Sequence, residues 1–183
     1  MVAITLSLVG TKLEERIGRL ALLGHEPRRL LAPLGAALVQ TTHDRFRRGE
    51  GPDGAKWKPL LPAYAAIRPA RPILMLSLRL FDSINFQVEG NAVRVGSNVI
   101  YARVHQFGAV IRPRTAKALR FRLGAITVGP RGGKKKSSFL VFAHAVTVPA
   151  RPYLGFGERD FAAVEEIVED TLKRLLDPSS GAL

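Results

Sequence analysis

The chain contains no cysteine. That excludes a disulfide framework and any metal site built on thiolates. No apolar run reaches the roughly 18 residues a membrane span needs, so no membrane partner is expected. Met1 to Val9 is apolar but only about strand length and has no basic start, so it does not read as a signal peptide. A reducing cytoplasm, or a place within an assembly, suits such a chain. Histidine is sparse: His25, His43, His105 and His144 include no pair at i, i+4, the spacing of a helical metal site. Outside the last helix, carboxylates are scattered over turns and caps (Asp44, Glu50, Asp53, Asp82, Glu89), a poor source for a two-metal nuclease centre. Residues 129–136 carry bases but not the ordered Gly-Lys-Ser/Thr run of a phosphate loop. Helix-turn-helix and zinc-finger patterns are missing too. The sequence therefore assigns no catalytic residue, no metal and no cofactor, and reads as a protein that is not an enzyme.

What is present is a globular chain with a lopsided charge. Its 183 residues, 46% of them hydrophobic and 23% charged, suffice for a real core and predict one domain with extensions. The net charge is +13. Residues 158–177 hold seven acids and three bases, a balance of −4, so the remainder carries +17. Such a field favours nucleic acid or an acidic protein surface, and permits head-to-tail attraction between copies. A merely arginine-rich composition would produce the same count.

Along the chain, Val2 to Val9 alternates as a strand, and Thr11 with Glu14 forms a capping box for a helix that Gly24 ends. A second helix is expected over 30–47, its start read near Pro27, a proline tolerated in a first turn, or near Ala32 if Pro33 must itself lie in the first turn. Pro52-Asp53-Gly54 is a turn in a loop that Trp57 pins to the body. The alternative for Trp57 is a hot spot for a partner. A short turn lies near Tyr64 to Ile67, and Leu74 to Ile84 reads as a short apolar helix, with Leu76, Leu80 and Ile84 on one face. Strands at 85–89 and 92–96 flank Gly90-Asn91 as a hairpin. Further strands are expected near 119–124 and 139–148 in the same small antiparallel sheet. The last helix, 158–176, should bury Phe161, Val164, Val168, Leu172 and Leu175, with an acidic outer face.

Two stretches stand out from this background. Tyr101-Ala102-Arg103-Val104-His105-Gln106-Phe107-Gly108 crowds polar and aromatic groups into one or two helical turns, with Tyr101 and His105 on one face and Gly108 as the stop. A catalytic reading makes His105 a base, but no Ser, Cys or carboxylate nearby completes a triad. The expected role is structural, with His105 and Gln106 fixing hydrogen bonds to neighbouring segments. The second is the basic stretch 109–140. It carries Arg112, Arg114, Lys117, Arg120, Arg122, Arg131 and Lys134, Lys135 and Lys136, and its Gly-Pro-Arg-Gly-Gly-Lys tip holds no apolar residue. It reads as a projecting hairpin arm able to contact DNA or a neighbouring protein. Glu165, Glu166 and Glu169 on the last helix are its electrostatic counterparts.

The landmarks Pro52-Asp53-Gly54, Trp57-Lys58-Pro59-Leu60, Ile73-Leu74, Leu80-Phe81-Asp82-Ser83-Ile84, Val95-Gly96-Ser97-Asn98, the 101–108 run and Val148-Pro149-Ala150-Arg151-Pro152-Tyr153-Leu154-Gly155 occur together in order. In this the chain resembles the Mu-like phage virion morphogenesis family, also called phage tail completion proteins, over roughly residues 30–175. It departs at Met75 to Arg79, which lacks the glycine common there. The resemblance implies a structural protein of the virion, at the head–tail junction, present in host cytoplasm before assembly. It further implies a homo-oligomeric ring, hexameric by analogy, around the DNA channel. Implied neighbours are head-completion or connector proteins and tail-terminator or tail-tube proteins. No catalytic residue follows from it; Trp57, Tyr101, His105, Gln106, Phe107, Gly108, Pro149, Arg151, Pro152 and Gly155 are read as structural motif residues. The overall expectation is an α+β domain over 1–176, a small, mostly antiparallel sheet packed by two longer helices with the basic arm, and a flexible tail at 177–183. The alternative class is a basic nucleic-acid-binding protein working through 112–136.

Overall fold

Helix α1 (Arg28–Arg48) is the beam of the structure. Leu30, Leu34, Leu38, Thr42, Arg45 and Phe46 are buried at intervals of three and four, so one stripe of the helix faces inward. Pro33 is exposed and lies in the second turn, where it removes a single backbone bond and the helix continues through it from Arg28. Arg45, Arg47 and Arg48 fill the last turn, favourable at the negative end of the helix dipole. In the computed structural model, residues 2–5, 28–90, 92–128 and 134–176 are described. The expected helix after Thr11, the rest of the first strand, the arm's tip at 129–133 and the tail at 177–183 lie outside them.

Against α1 rests a three-stranded antiparallel sheet in the order β1 (Val2–Thr5), β3 (Ala92–Ser97), β2 (Ile84–Glu89). Glu89 faces Ala92 across the hairpin, with Gly90 at φ +59° between them. Along β3, Val93, Val95 and Ser97 are buried in alternation, as a strand with one covered face requires. Gly35 lets α1 approach this sheet, because a Cβ there would lie 2.3 Å from the Phe86 ring. On its other side α1 packs on α5 (Glu158–Leu176), whose Val164 and Val168 are fully buried. Phe46 is the hub, with Trp57, Phe81 and Tyr153 ring centres 5.6, 5.8 and 5.0 Å away.

The mixed α+β architecture and antiparallel pairing hold, while four details differ from the sequence reading. First, among the described residues the strands form three small sheets rather than one. The ladder of β5 (Leu119–Val128) with β6 (Lys134–Ala143) ends at Leu119 and Ala143, and pairing resumes only between β4 (Ala109–Ile111) and β7 (Val146–Val148). Between those ladders one strand path has residues 112–118 and the other only 144–145, so register cannot run through and the expected strand 139–148 is cut in two. Second, Leu74 to Ile84 is not one helix: only α3 (Arg79–Asp82) winds, and Ile84 already opens β2. Leu74 and Leu78 sit at φ +64° and +60°, incompatible with a helix and strained for leucine by about 1–2 kcal/mol each. Third, Leu76 is exposed and does not share a buried face with Leu80. Fourth, Phe161 is 53% exposed, covered on one side by Phe156. The remaining helices are α2 (Pro62–Ile67), started by a proline, and α4 (Ala102–Phe107).

Candidate assembly site

Residues 149–155 form no helix or strand, yet Arg151, Tyr153 and Leu154 are buried. A buried irregular backbone needs partners for its N–H and C=O groups, and here side chains from three other segments supply them. Gln106 Nε2 donates to the Leu154 carbonyl at 2.7 Å, and Gln106 Oε1 accepts from the N–H groups of Tyr153 and Leu154, both at 3.0 Å. Trp57 Nε1 donates to the Pro152 carbonyl at 2.8 Å. Arg45 Nη1 donates to the carbonyls of Tyr153 and Gly155 at 3.2 and 3.1 Å. In return Arg151 donates through Nε and Nη2 to the carbonyls of Lys58 and Pro59, and its N–H to the His105 carbonyl at 2.8 Å. Tyr153 Oη donates to the Ala102 carbonyl at 3.2 Å, and burial raises its phenol pKa to about 12. The connector is thereby clasped from α1, the Trp57 loop and α4.

α4 presents this clasp because its two faces differ. Ala102 and Gln106, one turn apart, point inward, and Phe107 is 59% exposed. Tyr101 and His105 do meet, edge to face at 5.7 Å. The buried Nδ1 of the His105 ring, however, has no hydrogen-bond partner, and the residue fastens to the connector through its backbone carbonyl. Burial, then the nearby Arg151 charge, holds the imidazole pKa below its ordinary value. Gly108 ends α4 at φ +73°; a Cβ there would come within 2.8 Å of the Ala150 nitrogen and 3.0 Å of the Val148 oxygen. Pro149 is half-buried beside this crossing.

Two charged groups central to the structure escaped the sequence reading. Arg45, on the buried stripe of α1, forms an ion pair with Asp160 in the first turn of α5, both side chains almost fully buried. Asp160 also accepts from the Thr41 hydroxyl and, at 2.7 Å, from the Gly157 N–H, capping α5. Burial lowers the Arg45 pKa and Asp160 works against that shift. Glu50, read as a scattered loop acid, receives Arg48, Lys56 and Arg159 at 2.6, 3.3 and 2.5 Å. Burial acts to raise its pKa, but the hydrogen bonds of Arg48 and Lys56 and the charges of Arg159 and Arg48 outweigh it, and the net shift is down. The available signal was Arg45 itself, since an arginine on an apolar stripe demands an anion opposite.

The remaining candidates are on the surface. Arg112, Arg114, Lys117 and Arg120 are exposed, with His144 Nδ1 3.1 Å from the Lys117 carbonyl. Arg122 lies in β5 opposite Leu140, and Lys134, Lys135 and Lys136 open β6 opposite Val128, Thr127 and Ile126. Arg131 lies outside the described residues. Glu165, Glu166 and Glu169 are exposed on α5. Interleaved with the bases are large exposed apolar side chains: Phe107, Val110, Ile111, Phe121, Leu140 and Phe142.

These features define an α+β protein whose inward polar groups hold its own backbone, beneath a surface mixing cations with uncovered apolar groups. Among the described residues no group of three or more acidic or histidine side chains could hold a metal ion, and no helix is long and apolar enough to cross a membrane. The chain belongs to the phage virion morphogenesis family, whose model matches residues 8–173. Neither a curated protein nor a solved structure matches it. Its role is therefore in building the phage particle, with which it is associated.

Proposed function

We propose that this chain is a structural component of the head–tail junction, acting in tail completion and head–tail joining as a ring of copies, six by family analogy, and that it performs no bond-making. Its neighbours in this reading are head-completion or connector proteins on one side and tail-terminator or tail-tube proteins on the other. The observation that carries the reading is the exposed apolar series from Phe107 to Phe142 set among Arg112, Arg114, Lys117 and Arg120. Uncovered apolar groups rimmed by charge mark surfaces that meet another protein. The acidic outer face of α5 is the complementary surface in this reading, and a heterologous contact of this kind generates a ring when the rotation between copies closes.

A second reading has one specific observation in its favour. Arg120 stands across from Phe142, which is 64% exposed, so a guanidinium and an aromatic ring are offered side by side, as in single-strand nucleic-acid binders. Native mass and DNA binding measured together from about 0.1 to 1 M salt separate the two. A multimer whose mass falls as salt rises, with weak DNA binding, supports the ring. A monomer binding DNA tightly at physiological salt defeats it.

A further inference from the structure

Beside the clasp lies a cavity of about 340 Å³ between the 60–77 segment, the start of α4 and the connector. Leu60, Ile73, Leu76 and Leu80 supply apolar wall, and Arg68, His105 and Arg151 join them in the lining. Among the described residues no carboxylate lines it. Arg151 is 5% exposed, yet its guanidinium donates only to the neutral carbonyls of Lys58 and Pro59. Arg68 Nη2 similarly donates to the carbonyls of Arg71 and Pro72. Neither has a carboxylate partner among the described residues.

A buried cation without a counter-ion is costly, and buried polar atoms without partners are rare in native interiors. Of the three orphaned buried side-chain atoms among the described residues, Arg68 Nε and His105 Nδ1 belong to residues of this same lining, and the third, Arg94 Nε, lies in the β2–β3 sheet. The sign of the charge calls for an anion. The hydrocarbon wall, with Tyr64 and Tyr101 beside it, calls for one carried on an apolar stem rather than a hydrated phosphate or sulfate.

We propose that this cavity binds a carboxylate on an apolar stem, held by Arg68, His105 and Arg151. The carboxylate comes either from an acidic side chain of a neighbouring copy of this chain or from a free alkyl acid. Only the first source rests on the assembly reading given above; the site itself does not.

The test titrates the full chain at pH 7 with hexanoate and with hexan-1-ol, followed by NMR shifts of the lining residues. Hexanoate is expected to bind at least about tenfold more tightly, as a charge-assisted contact in a shielded site should. Arg68→Gln, and Ser77→Glu, which puts the protein's own carboxylate on the exposed lining residue Ser77, are each expected to weaken hexanoate at least about tenfold with unchanged thermal midpoints. Equal binding of the two probes, or undiminished hexanoate binding in both variants, overturns the site. Native mass with saturating hexanoate then identifies the source. A fall in mass supports a carboxylate from a neighbouring copy, and an unchanged multimer supports a free acid. A chain that never multimerises removes the assembly reading and leaves the hexanoate comparison standing.

Discussion

Arg45 shows how much of this structure depends on single side chains. Its guanidinium is tied to two connector carbonyls and to Asp160, which in turn caps α5. Asp160→Asn keeps the shape and removes the counter-charge, leaving a buried cation unpaired. Breaking a buried pair in this way is expected to lower stability by about 3–5 kcal/mol in chemical denaturation; a loss under about 1 kcal/mol would mean that water reaches the pair. His105 provides a test of different sign. Its pKa is depressed in the fold by burial and by Arg151. Above about pH 6.5 the imidazole is neutral in both states and contributes no slope. As pH falls below that value the unfolded chain takes up the proton first, so stability declines with falling pH. His105→Gln is expected to flatten the slope between about pH 6.5 and 5, a range above the acid titration of Glu50, whose own pKa is lowered. An unchanged slope would place His105 in water.

The elements differ in how openly the sequence announces them. α1 and α5 carry apolar residues at helical spacing over many turns, and the bounds 30–47 and 158–176 fall within two residues of those observed, whereas the later start near Ala32 that Pro33 suggested is four residues too late. The hairpin of β2 and β3 was legible because alternation and a Gly-Asn turn agree. Residues 74–84 misled because a run of leucines is apolar at any period, and nothing local reveals that Leu74 and Leu78 are held at positive φ. The β5–β6 hairpin was legible as two strands but not as a separate sheet, since alternation marks a strand and says nothing of its neighbour. Its inner rungs, Leu119↔Ala143 through Leu123↔Phe139, do not involve 131–138. Replacing Arg131 to Ser138 by a two-residue turn is therefore expected to leave the thermal midpoint within a few degrees and to impair assembly in a particle-forming assay. Normal particle yield from that variant would remove the arm from the assembly mechanism.

For the whole molecule, charge and uncovered apolar surface matter more than any single contact. The chain carries +13 overall while the outer face of α5 is acidic. If copies join through that face, replacing Glu165, Glu166 and Glu169 together by lysine should abolish the multimer while far-ultraviolet circular dichroism stays unchanged, and a multimer of normal mass from that variant would refute the contact. Composition, helical periodicity and the ordered landmarks sufficed by themselves to establish the α+β class, the two long helices and the family, because these depend on local propensity and on residue order. Only the tertiary structure decided which polar residues face one another: that Gln106 holds Tyr153 and Leu154, that Arg45 finds Asp160, and that Arg68, His105 and Arg151 share a cavity. Those partners lie between 47 and 115 residues apart in the first two cases, and no local pattern encodes a meeting set by how helices and loops pack around Phe46.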